Sequence, residues 1–155
     1  MIYQLVKEQF LEANIDEVWD FVSSPKNLKK ITPEQMNFII TSNNLASKMY
    51  PGMIITYKVS PIFKIPMNWV TEITHMQKNK YFVDEQRVGP YKIWHHQHLF
   101  EIKDNGVLMT DIISYKLPLG LLGNLVHRLF IRKQLESIFS FRFDKMNQIF
   151  NNRKS

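Results

Sequence analysis

Cysteine is absent from this chain of 155 residues. Disulfides, thiolate nucleophiles, iron–sulfur clusters and cysteine-based zinc sites are therefore excluded. Glycine is scarce, with five residues against seven prolines. No run of about 18 apolar residues occurs, and Lys7, Glu8 and Glu12 interrupt the stretch that a signal peptide needs. These absences lead us to expect an unexported, cytoplasmic protein. Acidic residues are few beyond Gly120, where seven Lys or Arg face two acids; before it the balance is thirteen against twelve. The basic residues Arg128, Arg132, Lys133, Arg142 and Lys145 are spread through an apolar segment, without the interleaved aromatics of a nucleic-acid platform. Nucleic acid is not expected as a partner.

Apolar residues are plentiful. They make up 45% of the chain, including eleven Phe, six Tyr, three Trp and eight Met, enough for one core in residues 1–150 with a frayed tail at 151–155. Residues 2–12 alternate as a half-buried strand should. Asn14 then caps a short helix, with Glu17 three residues on and Ile15, Val18, Trp19 and Val22 at helical spacing. Ser24-Pro25 opens a second short helix that ends near Thr32-Pro33. From Met36 to Leu117 the pattern is of about six strands separated by turn signals, among them Pro51-Gly52, Gly89-Pro90 and Asn105-Gly106. Short turns imply antiparallel neighbours. After Pro118 and Gly120, Leu122, Leu125, Val126, Leu129, Leu135, Ile138, Phe139, Met146 and Ile149 recur as on one long helix. The fold class is α+β: a curved antiparallel sheet of about seven strands closed by the C-terminal helix.

The stretch GPYKIWHHQHLFEIKDNG holds three of the five histidines. Alternation puts Trp94, His96, His98 and Phe100 on one face and His95 on the other. With Asn105-Gly106 as the two-residue turn, Phe100 faces Asp111, His98 faces Ile113, His96 faces Tyr115 and Trp94 faces Leu117. His98 then lies diagonally between Asp111 and Tyr115. Asp84 and Gln86, on the preceding strand, join this face only if the Gly89-Pro90 connection has an odd count. Trp69 and Trp94 are candidates for the wall of a pocket; Trp19 is expected to pack against the sheet.

His-x-His offers two imidazoles to a metal but only Asp111 as third ligand, so no metal is expected. No nucleophile or cofactor motif accompanies the pair, and no cofactor is expected. His96, His98, Asp111 and Tyr115 remain candidates for acid–base chemistry. The favoured reading is a polar patch that orients the head of a hydrophobic ligand. The segment LPLGLLGNLVHRLFIRKQ, with His127, Arg128, Arg132 and Lys133, is expected to cover that cavity, with transient contact to a membrane surface as an alternative.

The order of elements, SPKNLKKITP after the first helix, GPYKIWHHQHLFE, the later Asp111 and Tyr115, and LPLG before the last helix together resemble the SRPBCC superfamily. This superfamily comprises START domains, polyketide cyclases and Bet v 1-like proteins, and the pattern is similar to one bacterial branch labelled cyclase/dehydrase or cell-division inhibitor. The resemblance implies a helix-grip fold with a deep hydrophobic cavity between sheet and C-terminal helix. The resemblance does not fix the chemistry; with the residues above, the expected function is binding of a lipid- or polyketide-like small molecule in that cavity, with a cyclase or dehydratase using His96 or His98, or a regulatory protein-interaction module, as alternatives. It names no protein partner.

Overall fold

A computed structural model describes residues 1–62, 64–118 and 130–152. The alternating segments form one seven-stranded antiparallel sheet. The strands are β1 (Tyr3–Leu11), β2 (Ile39–Ile40), β3 (Ile54–Ile62), β4 (Ile65–Gln77), β5 (Tyr81–Val88), β6 (Ile93–Lys103) and β7 (Gly106–Lys116), and their order across the sheet is β1-β7-β6-β5-β4-β3-β2. Sequential hairpins account for every pairing except that of β1 with β7. Register shifts between Val59 and Ile62, at Val70/Thr71 and at Ile73/His75 add residues to one strand of a pair, which bends the sheet.

Helix α1 (Ile15–Val22) begins as its sequence requires: the Asn14 side-chain oxygen accepts the Glu17 N–H at 2.9 Å. The second expected helix is instead a 3₁₀ segment, Pro25–Ile31, followed by a 3₁₀ turn at Glu34–Met36. Proline suits the first position of either helix type. Ser24 makes no capping bond with its side chain; its carbonyl oxygen accepts the Asn27 N–H at 3.0 Å, the bond of a 3₁₀ turn. At Tyr50–Met53 a turn closes through Met53 N to Tyr50 O at 3.1 Å, with Pro51 followed by Gly52 at φ +89°. That positive φ is the reason for glycine in this turn.

The last helix, α2 (Arg132–Phe150), lays Leu135, Phe139, Met146 and Phe150 on the sheet. Its end is tied to β1: Asn151 Nδ2 donates to Phe10 O at 2.9 Å, Glu12 N donates to Asn151 Oδ1 at 2.8 Å, and Gln9 Nε2 reaches Phe143 O and Asn147 Oδ1. Asn151 therefore belongs with the helix end and not with the expected tail. The earlier part of the expected helix, with Leu122, Leu125, Val126 and Leu129, lies outside the described residues, as do Gly120, Gly123, His127 and Arg128.

Two apolar clusters fill the space under the sheet. One gathers Leu11, Val18, Trp19, Ile73, Phe82, Phe100 and Phe150 around α1 and the end of α2. Trp19 stands edge-on to Phe82 and Phe100, with centroids at 6.2 and 5.7 Å, and so packs against the sheet as expected. The other cluster gathers Phe38, Val59, Trp69, Tyr91, Ile113, Tyr115 and Phe139. The polar groups considered next lie where the two clusters meet.

Candidate functional site

The β6–β7 turn is Asp104-Asn105, one residue earlier than the glycine signal indicates: Lys103 pairs with Gly106. Asp104 takes the positive φ of 50°, which aspartate tolerates. Gly106 is needed for another reason, because a Cβ there would collide with the Leu11 carbonyl oxygen and the Phe10 ring. The register consequently moves by two residues. His98 faces Asp111, His96 faces Ile113, Phe100 faces Met109 and Trp94 faces Tyr115. A shift of two leaves every side chain on its face, so Trp94, His96, His98, Phe100, Asp111 and Tyr115 all point to the inner side. His95 points outward and pairs with Glu85 at 2.8 Å.

An odd number of residues separates the paired Asp84 and His96, and Asp84 joins the histidines. Its carboxylate, Asp111, His96 and His98 form a closed quartet. Asp111 Oδ1 accepts from His96 Nε2 at 3.0 Å and from His98 Nδ1 at 2.8 Å. Asp84 Oδ2 accepts from His98 Nε2 at 2.8 Å and stands 3.4 Å from His96 Nδ1. The imidazole centroids are 3.7 Å apart, Phe82 stacks on His98 at 4.0 Å, and Phe139 meets His96 edge-on at 5.5 Å. His96, His98 and Asp111 are only 4%, 7% and 3% exposed.

Burial pushes both carboxyls up, but the histidines outweigh it. Hydrogen bonds from His96 and His98 hold Asp111 well below the usual carboxylate range, and the charge of His96 with the bond from His98 lowers Asp84. His98 is raised, because its bonds to Asp111 and Asp84 exceed the effect of burial. His96 is lowered by burial and by the neighbouring His98 charge. The two rings are thus pushed in opposite directions, His98 up and His96 down.

Beside the quartet lies a cavity of about 150 Å³ between sheet and α2. Trp69, Trp94, Asp84, His96 and His98 line it; Phe100, Asp111, Tyr115 and Gln86 do not. Phe100 belongs to the packed cluster with Trp19 and Phe82. Asp111 stands behind the two histidines. Tyr115 lies against Tyr3 and Tyr91, away from the acid position expected of it. Gln86 shares the face of Asp84, but its amide donates to Tyr91 O at 2.6 Å and accepts from Tyr91 N at 3.2 Å. It clamps the Gly89-Pro90 connection, where a glycine Cβ would run into the Gln86 amide, and so sets Tyr91 on the cavity wall.

Sequence reasoning missed Tyr57, Thr71, Phe139 and Arg142 as cavity residues. Tyr57 OH lies 2.9 Å from Thr71 Oγ1, which also accepts from Trp69 Nε1 at 3.0 Å. Arg142 carried a readable signal: it sits on α2 three residues after Phe139 and four before Met146, a cation on the apolar face. Its guanidinium lies over the Phe139 ring, 5.4 Å from the centroid.

A curved seven-stranded antiparallel sheet gripping a C-terminal helix, with short helices after the first strand, is the helix-grip fold. Solved structures bear this out across nearly the whole chain. Protein CV1439 from Chromobacterium violaceum aligns with a TM-score of 0.70 at 9% identity, over 95% of this chain and 96% of that one. Ms6760 from Mycobacterium smegmatis aligns with a TM-score of 0.64 at 15% identity, over 94% and 92%. Ara h 8.0201, of the Bet v 1 type, aligns with a TM-score of 0.60 at 10% identity, over 96% and 99%. No protein-family model and no curated protein sequence matches the chain. No helix among the described residues is long and apolar enough to cross a membrane.

Proposed function

We propose that the protein binds a hydrophobic or amphipathic small molecule between sheet and α2. The apolar body of the ligand lies among Trp69, Trp94, Tyr57 and Phe139, and its polar head meets Asp84, His98 and Arg142. The observation that carries this reading is a cavity that is apolar over most of its wall and ends on charged groups. A volume of about 150 Å³ sets the scale of the inserted part, because an apolar cavity of about that size takes one benzene-sized ring. The sequence resemblance noted above to a cyclase/dehydrase-labelled branch accords with a lipid- or polyketide-like ligand. Acid–base catalysis is the weaker reading. Both nitrogens of each imidazole face carboxylates, which leaves neither ring a free lone pair directed at a substrate.

Thermal denaturation with a panel of monocyclic aromatic acids, polycyclic phenols and fatty acids tests this, together with native mass spectrometry of freshly purified protein. A ligand at a hundredfold its Kd stabilises the fold by about 2.7 kcal/mol, a readily measured rise in Tm. We expect compact aromatic acids to give the largest rise. A panel without any shift, and a purified protein carrying no small molecule, would sink the reading.

A further inference from the structure

The quartet has an asymmetry that ligand binding alone does not explain. Asp111 sits behind both rings and accepts one N–H from each, His96 Nε2 and His98 Nδ1. These bonds fix the tautomers and leave His96 Nδ1 and His98 Nε2 turned toward Asp84 Oδ2, at 3.4 and 2.8 Å. All three atoms lie within 4.8 Å of one another. Their residues line the cavity and Asp111 does not. This is the layout of a metal centre with two histidines and one carboxylate, in which an outer carboxylate orients the imidazoles.

We propose that Asp84, His96 and His98 hold a divalent first-row transition cation, of the zinc(II) or iron(II) class, with its open positions toward the cavity. Bonds of about 2.0–2.2 Å to nitrogen and oxygen place neighbouring donors about 2.9–3.5 Å apart, and the two donor distances to Asp84 Oδ2 need little adjustment. The geometry favours the same occupant: the imidazole centroids are 3.7 Å apart, and a cation held between the three donors separates His96 Nδ1 from the Asp84 oxygen it otherwise faces at 3.4 Å. Arg142, on the opposite wall, is then free to hold an anionic ligand head.

The third ligand is the one that strand reading cannot choose. Asp111, with the right residue type and neighbouring strand, is the outer partner, and Asp84 is the ligand.

This assignment is independent of the organic ligand, since metal uptake is measured without one. Chelator-stripped full-length protein is titrated with Zn²⁺, Co²⁺ and, anaerobically, Fe²⁺, with Mg²⁺ and Ca²⁺ as hard-cation controls, and the fold is followed by near-ultraviolet circular dichroism. We expect one equivalent of each transition cation, bound competitively, and none of Mg²⁺ or Ca²⁺, which prefer oxygen shells. Asp84→Asn, of nearly unchanged shape, and His98→Ala should abolish uptake. Asp111→Asn should weaken it by about 10–100-fold without changing stoichiometry, and His95→Ala should leave it unchanged. Proton NMR of the wild-type cobalt form should show two shifted exchangeable imidazole N–H signals, the protons that Asp111 holds, so the test does not depend on any variant folding. Folded wild-type protein that takes up no transition cation overturns the assignment, as does uptake that survives Asp84→Asn, or Mg²⁺ bound as tightly as Zn²⁺.

Discussion

Two aromatic residues six positions apart on β6 do different work. Trp94 lines the cavity, stands edge-on to Trp69 at 5.5 Å and is half-buried. Phe100 is 6% exposed and locked between Trp19 and Phe82. Phe100→Ala should therefore cost about 3–5 kcal/mol, as large-to-small changes in packed cores do, while leaving the ligand-induced rise in Tm intact. Trp94→Ala should cost less stability and remove most of that rise. Urea unfolding with and without the best compact aromatic ligand separates the two. Equal loss of the ligand effect in both variants would mean that the cavity is not the binding site.

At the scale of elements, the β6–β7 hairpin shows how a turn is selected by what packs on it. Asn105-Gly106 is the stronger turn signal by residue type, yet Gly106 is spent on the close approach of Leu11 at the end of β1. Gly106→Ala should consequently lower stability by about 1–3 kcal/mol, the usual cost of overpacking. Asp104→Gly, at the position with φ of 50°, should be tolerated within about 0.5 kcal/mol, because glycine adopts that conformation without strain. Chemical denaturation of the two variants checks the contrast, and the reverse order would restore the register with Asn105-Gly106 in the turn. The bonds of Gln9 and Asn151 likewise place α2 over β1, and with it Leu135, Phe139 and Arg142 over the cavity.

For the molecule as a whole, the buried tyrosine hydroxyls have a consequence for pH. Burial raises Tyr57 and Tyr91 far above the usual tyrosine range and pushes Tyr115 up to about 12. In the unfolded chain these phenols ionise near pH 10. The neutral phenol is favoured in the folded state, so their contribution is complete below about pH 10 and is lost as pH rises toward the folded values. Stability should fall steadily above pH 10, and phenolate absorbance from these three residues should emerge together with unfolding. A stability plateau extending through pH 12 would contradict the burial of these rings.

Much of the architecture was legible in the sequence, because it rests on local periodicity. Alternation along a strand decides which residues share a face, whatever the partner strand does. The inner placement of His96, His98, Asp111 and Tyr115 therefore survived a register two residues away from the expected one. The capped first helix, the glycine of the Pro51-Gly52 turn and the apolar stripe of α2 were legible for the same reason. The composition of the site was not. Whether Asp84 meets the histidines depends on the parity of the Gly89-Pro90 connection, and Gln86, on the same face, is diverted by the Tyr91 backbone. Whether Asp111 faces the cavity or stands behind it, and whether Arg142 enters the wall, depends on how the sheet bends around α2. Face is a property of one strand and is written in its own residues; register, loop parity and curvature are set by contacts between residues far apart in the chain, so only the tertiary structure decided them.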